Sequence, residues 1–291
     1  MQVISHIAEL RTRLEKESTI VFVPTMGNLH EGHLDLVQRA REQGGCVVVS
    51  IFVNSLQFGP SEDFDKYPRT LKADCEQLQG LADIVFTPAA NEMYPLPQAV
   101  LVEPSALAND LEGAARPGHF CGMATVVLKL LNIVRPHVAL FGKKDYQQLH
   151  VIRQMVAQLN LAVGIVGCET VRAPDGLALS SRNQYLSAAE RTEATFLYRT
   201  LCGLQSELLG GLANVAQDPS NFSKDKAAHS KLEQCATEAL AARGWQVDYV
   251  AVRSQADLAY PSASERNLVI LAAARLGQTR LIDNLEVCLK T

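Results

Sequence analysis

Thr19–His33, TIVFVPTMGNLHEGH, is the stretch whose reading decides the fold. Ile20, Val21, Phe22 and Val23 form an unbroken apolar run, as a strand buried on both faces requires. Pro24 withholds a ladder donor and ends that strand. Met26-Gly27-Asn28 then make a turn, and His30-Glu31-Gly32-His33 opens a helix whose apolar positions include Leu34, Val37 and Ala40. Strand, tight loop and helix start together present backbone N–H groups and the positive end of a dipole to an anion. Two imidazoles three positions apart share one helical face and reach the same anion. The stretch reads as a nucleotide phosphate site. Zinc fits less well, because the helical HExxH pattern sets its histidines four apart and no third ligand is evident. The GxxxxGK[ST] phosphate loop is absent.

Outward from this unit, strands and helices alternate. Cys46–Val53 is a second apolar strand, and a polar loop over 54–66 leads to a helix from about Pro68. Asp83–Thr87 reads as a third strand and Ala99–Val102 as a fourth, each ended by a proline. Cys121–Val134 has the composition of a buried helix, stopped by Arg135-Pro136. His137–Phe141 is the next strand, Lys144–Leu159 the next helix and Leu161–Val166 the last strand of the series. The residues before Thr19, MQVISHIAELRTRLEK, read as one amphipathic helix rather than a signal peptide. Such alternation, with apolar-through strands, predicts an α/β fold: a Rossmann-like parallel sheet with helices on both faces. The pattern changes after Val171. A loop over 172–182 carries the turn Pro174-Asp175-Gly176, and a long helix starts near Ser187, with Glu190 completing a capping box. Gly210–Asp225 reads as a loop, followed by a helix ending near Gly244 and three strands at 247–252, 268–274 and 279–283. The expected division is therefore 1–171, a nucleotide- and substrate-binding domain, and 172–291, a smaller α+β lid domain.

Composition narrows the function. Of 291 residues, 47% are hydrophobic and 20% charged, the balance of a soluble globular chain. A net charge of −4 argues against a broad nucleic-acid surface, so anionic substrates must be held by a few placed cations and donors. Seven cysteines without a CxxC pair read as reduced thiols of a cytoplasmic protein. No apolar run approaches the roughly 18 residues a membrane span needs, and no internal repeat is visible.

In open α/β sheets ligands bind beyond the carboxyl ends of the strands. That edge gathers His30, His33, Asn54, Gln57, Gly142-Lys143-Lys144-Asp145, Gln147, Gln148 and the loop with Ser180-Ser181-Arg182. It holds donors and cations but no nucleophile set: no GxSxG, no Cys with an obvious His partner, no paired carboxylates. Phosphoryl or nucleotidyl transfer is the chemistry that rests most on positioning and charge neutralisation.

At this point the chain resembles a known family. PTMGNLHEGHL (24–34), FVNSLQF (52–58), YPRTLKAD (67–74), RPGHF (116–120), FGKKDYQQL (141–149), PDGLALSSRN (174–183) and TRLIDN (279–284) are similar, in order and spacing, to the pantoate–β-alanine ligases of the HxGH nucleotidyltransferase superfamily. The resemblance implies an enzyme that adenylates D-pantoate with ATP and then transfers the pantoyl group to β-alanine, releasing AMP. It implies ATP binding by Met26, Gly27, Asn28, Leu29, His30, Glu31, Gly32 and His33, by Gly142, Lys143, Lys144 and Asp145, by the backbone at Val171, and by Leu179, Ser180, Ser181 and Arg182 on a closing loop. His33 is the implied catalytic acid, an imidazolium beside the phosphates, with His30 and Lys144 sharing the work. Gln57 and Gln148 are implied to hold pantoate, with Gln57 also beside β-alanine. Mg2+ would accompany ATP, with Asp74 near it, and a homodimer is implied.

The chain departs from the family pattern at Ser55-Leu56, Cys121, Lys143 and Leu179, where Pro-Met, Asp, Glu and Met are usual. Leu179 keeps the volume of Met. Ser55 relaxes a loop that Pro would pre-set. Lys143 reverses a charge beside the ATP segment. Two other readings stay open: an adenylyltransferase with a different acceptor, and a nucleotide-sensing module without catalysis.

Overall fold

The computed structural model describes residues 1–60, 62, 64–215, 225–262 and 264–289. The chain divides into two compact units, Met1–Val171 and Arg172–Thr291. In the first, Gln2–Ile4 (β1), Ile20–Thr25 (β2), Cys46–Ile51 (β3), Ile84–Phe86 (β4), Val138–Gly142 (β5) and Gly164–Cys168 (β6) form one sheet in the order β1-β4-β3-β2-β5-β6. Every pairing is parallel. The helices are Ile7–Leu14 (α1), Glu31–Glu42 (α2), Leu71–Gln77 (α3), Ala90–Met93 (α4), Glu112–Ala115 (α5), His119–Val134 (α6) and Tyr146–Gln158 (α7).

The period of two along β2 explains its apolar run. Ile20 and Phe22 join a core with Leu10 of α1, Met123 and Leu130 of α6 and Ile152 of α7. Val21 and Val23 point the other way, into a second core with Val37 and Ala40 of α2 and Leu78 beside α3. Both faces are covered, so neither tolerates polar alternation.

Several sequence expectations change. Pro24 does not end β2: it lies within the strand opposite Ser50, and the pairing runs on to Thr25. Gln2–Ile4 is an edge strand paired with β4, not part of the first helix; three residues are too few to carry a period. Ala99–Val102 is not a strand: Val100 is 80% exposed, and the Val102 amide donates to the Thr125 hydroxyl at 2.9 Å instead of to a ladder. The helix expected from Pro68 starts at Leu71, with Thr70 at its N-cap.

The second unit has Ala188–Glu193 (α8), Thr195–Val215 (α9), Asp225–Ala241 (α10) and an antiparallel sheet of Gln246–Ser254 (β7), Asn267–Leu276 (β8) and Thr279–Cys288 (β9). Ser187 and Glu190 make the expected capping box. Leu197, Leu201, Leu204 and Leu208 of α9 pack with Leu240 of α10 and with Ile270, Ala272 and Ala274 of β8. The loop expected over 210–225 is corrected in part: residues 210–215 continue α9, and 216–224 lie outside the described residues. Arg172 is anchored several ways. Its guanidinium forks onto Asp283 at 2.7 and 2.8 Å, donates to the carbonyls of Gly176 and Asn284, and lies 4.0 Å over the Tyr198 ring. Among the described residues no helix is long and apolar enough to cross a membrane.

Candidate active site

β2 has β3 on one side and β5 on the other, so the chain leaves its neighbours in opposite directions there. Strand order reverses at β2, and the crevice beyond its carboxyl end is where such sheets bind ligands. Thr25 closes the strand. Its hydroxyl donates to the Ser50 carbonyl at 2.7 Å and accepts the Gly27 amide at 3.2 Å. Gly27 and Asn28 follow with φ of 83° and 51°. A Cβ on Gly27 would meet Asp74 Oδ2 and Ile51 Cγ2, each at 3.0 Å, so close approach as well as φ selects glycine here.

Asp74 explains that approach. Buried on α3, it accepts the amides of Asn28 at 3.0 Å and Leu29 at 2.9 Å and the Thr70 hydroxyl at 3.1–3.2 Å. Asp74 thus holds the loop through its carboxylate oxygens, at the position the resemblance sets near the metal. Among the described residues no group of three or more His, Cys, Asp or Glu gathers to hold a metal ion.

The two histidines cap their own helix. His30 Nδ1 accepts the Gly32 amide at 3.1 Å, and His33 Nδ1 accepts the His30 amide at 3.4 Å, a reciprocal capping box. Their rings lie 4.1 Å apart. Because each Nδ1 accepts from an N–H, each neutral ring carries its proton on Nε2. Burial and Lys144 hold His30 down at about 4; burial, His30 and Lys144 hold His33 at about 3. Two expectations are modified. Burial and the neighbouring cations favour neutral rings with the proton on Nε2 over imidazolium ions. The backbone of the turn is not an open anion cradle, since the amides of Gly27, Asn28, Leu29, His30, Gly32 and His33 all donate within the protein. What faces an anion is a pair of imidazoles with Lys144 in electrostatic reach of both.

Gln57 is buried in a 3₁₀ turn over Ser55–Gln57. Its Oε1 accepts from Asn54 Nδ2 at 3.1 Å, and its Nε2 donates to Met26 Sδ at 3.2 Å, which ties the β3 loop to the β2 loop. Asn54 also donates to the Gly122 carbonyl and accepts from the Tyr94 hydroxyl at 2.7 Å. The turn sits directly on α6 at Gly122, where a Cβ would fall 2.0 Å from the Leu56 carbonyl oxygen. Ser55 therefore stands in a turn pinned from outside, and the proline usual there is not needed to hold it. Sequence alone sets Asn54 at this edge but gives no roles to Tyr94, His119 and Gly122. Their signals were RPGHF (116–120) and a lone glycine inside an apolar helix, which marks a close backbone approach.

The other expected positions divide. Lys143 pairs with Glu169 at 2.5 Å, which answers the reversed charge. Lys144 lies 3.8 Å from the exposed Asp145. Gln147 ties down the chain at Asp110 and Glu112, while Gln148, half-buried, follows it in the first turn of α7. The Cys121 thiol is pushed up by burial and by a hydrogen bond with Glu103. Val171 ends the first unit. Leu179, Ser180, Ser181 and Arg182 belong to the second unit, where Ser180 Oγ caps the turn Ser181–Tyr185 by accepting the Arg182 amide.

Three rings, His119 buried and His30 and His33 half-buried, set an acid limit on the fold. His119, pushed down to about 4 by burial and Arg116, joins His30 and His33 in staying neutral. In the unfolded chain each titrates near 6.5. From about 6.5 down to about 4 the unfolded state therefore binds protons that the native state refuses, and stability falls as pH falls. Urea unfolding at pH 5.5 should give up to about 1 kcal/mol less stability per ring than at pH 7.5. The depressed carboxylates Glu62 and Asp83 lose their contribution only at lower pH. An unchanged midpoint between these two pH values would sink this reading.

Comparison with known proteins identifies the family. A family model described as pantoate-beta-alanine ligase matches residues 2–286. The pantothenate synthetases of Nitrosospira multiformis and Chromobacterium violaceum are 55% and 56% identical over 289 residues, covering 99% of this chain and 98% and 99% of theirs. Pantothenate synthetase from Thermus thermophilus superposes with a TM-score of 0.87 at 44% identity, over 99% of this chain and 100% of its own. Pantoate-beta-alanine ligase from Francisella tularensis, complexed with beta-gamma ATP and beta-alanine, gives 0.76 at 34%, over 98% and 97%. With a site of this geometry and a family match along nearly all its length, the chain belongs to the pantoate–β-alanine ligases.

Proposed function

We propose that the protein condenses D-pantoate with β-alanine at the expense of ATP, giving pantothenate, AMP and pyrophosphate. A pantoate carboxylate oxygen attacks the α-phosphorus, and the bond from that phosphorus to the bridging oxygen of pyrophosphate breaks. The β-alanine amine then attacks the acyl carbon of pantoyl adenylate, expelling AMP and losing a proton. The observation that carries this is the tilted His30–His33 ring pair capping a helix at the sheet's reversal point, with Lys144 in reach and the buried Gln57 amide tied to the same loop through Met26. Two Nε2–H donors and an ammonium stabilise the charge that builds on the departing pyrophosphate.

Gln57 and Gln148 hold pantoate, whose hydroxyls and carboxylate suit amide donors and acceptors, and Gln57 also meets β-alanine. Gly142–Asp145 takes the triphosphate and ribose, the Val171 backbone reads adenine, and Leu179–Arg182 close on the phosphates. Mg2+ enters with ATP as the counter-ion of its phosphates. The seven free cysteines suit a reducing cytoplasm, and the functional form is a homodimer, as expected for the family.

The test is pyrophosphate exchange into ATP. It should depend on pantoate, and the full reaction should yield AMP. ADP as product, or exchange without pantoate, defeats the proposal, and tight ATP binding without exchange would indicate a sensor. Gln57→Ala should raise the pantoate KM by about tenfold or more while the ATP KM stays within about twofold.

A further inference from the structure

The backbone of Gln57 is held as firmly as its side chain, and by a different set of residues. His119, the first residue of α6, has its Nδ1 2.9 Å from the Gln57 carbonyl oxygen. A carbonyl only accepts, so the ring proton lies on Nδ1 and Nε2 is a lone pair. Arg116 fills that lone pair, its NH1 donating at 3.1 Å. The same guanidinium forks onto Glu62, with both bonds at 2.7 Å and side chains only 15% and 21% exposed. Every bond in the series has one consistent direction: Arg116 donates to Glu62 and to His119, and His119 donates to Gln57. A second proton on the ring would set an N–H against the guanidinium, and burial with Arg116 beside it keeps the imidazole neutral. Phe58, directly after Gln57, packs edge-on against Phe64 and Tyr67, 5.3 and 5.9 Å between centroids. The segment bearing Glu62 is thereby drawn back over the turn it serves.

We propose that His119 and Arg116 are positioning residues for the acid substrate: they fix the Gln57 carbonyl, and with it the direction of the Gln57 amide, while Glu62 keeps Arg116 in register. This deepens the assignment of Gln57 to pantoate and rests on it. Neither residue is required to touch reacting atoms. A three-residue 3₁₀ turn has little stiffness of its own, so fixing both its carbonyl and its side chain removes the freedom that would blur an amide's aim.

Steady-state kinetics on four variants beside wild type test this. His119→Phe keeps ring volume and removes both hydrogen bonds. His119→Asn restores a donor near the Nδ1 position. Arg116→Met keeps length and removes the guanidinium, and Gln57→Ala is the reference. We expect His119→Phe to raise the pantoate KM about tenfold and Arg116→Met about threefold or more, with the ATP KM within about twofold of wild type. His119→Asn should recover most of the loss. If Gln57→Ala raises the pantoate KM but His119→Phe and Arg116→Met do not, the positioning proposal is overturned and the pantoate assignment stands. If Gln57→Ala leaves that KM unchanged, the assignment itself fails and the proposal goes with it. Equal rises in both KM values with a lowered Tm and no recovery in His119→Asn would mean a merely structural role, and would also overturn it. Should His119→Phe not fold, Arg116→Met, with its partly exposed side chain, decides the matter.

Discussion

His33→Ala is expected to lower kcat for adenylate formation by roughly 10²–10⁴, the range for a lost proton donor or charge stabiliser. The ATP KM should change by less than about tenfold, because the interaction matters most as charge moves onto pyrophosphate. The geometry adds a sign to the pH profile. An imidazolium of ordinary pKa would lose its proton above about 6.5, and the rate would decline through that range. His33 is instead neutral, held at about 3 by burial and its cationic neighbours, with Nδ1 committed to the helix cap. Its donor persists at higher pH, so kcat should stay level between about pH 6.5 and 8. A variant within about twofold of wild type removes His33 from its role. A rate that falls with a midpoint near 6.5, and loses that midpoint in His33→Ala, restores the imidazolium.

Asp74→Ala should give the largest loss of stability among site variants, about 2–4 kcal/mol, and raise the ATP KM about tenfold. Two backbone amides and a hydroxyl would lose an ionised acceptor in a buried place. Asn28, a non-glycine residue at positive φ, would lose the bond that holds it there. Asp74→Asn keeps one carbonyl oxygen and should lose about half as much. Chemical denaturation and ATP titration across a magnesium series check both points. Normal stability with a steeply increased magnesium requirement would return Asp74 to the metal.

Much of the first unit was legible because a two-faced parallel sheet leaves a blunt record. Ile20–Val23 and Cys46–Val49 are apolar without alternation, although Pro24, which reads as a stop, lies inside β2. What escaped lacks a period: β1 has three residues, and the apolar 99–102 segment found no neighbouring ladder. At the site, residue types were readable and their states were not. Sequence placed His30 and His33 on one face, but only the capping box assigns their tautomers. The resemblance set Asp74 near the metal, but not that its oxygens hold the loop. Roles such as that of His119, whose partners are 3 and 62 residues away, depend on which backbone passes beneath them.

The anchoring of Arg172 bears on how variation in the second unit will be read. Its guanidinium is shared among Asp283, two carbonyls and an aromatic face. Residues so joined behave in mutational scans as a single locus: once Arg172 or Asp283 has been replaced, losing the other adds little. A count of tolerated single changes will therefore understate how freely that corner of the molecule can drift.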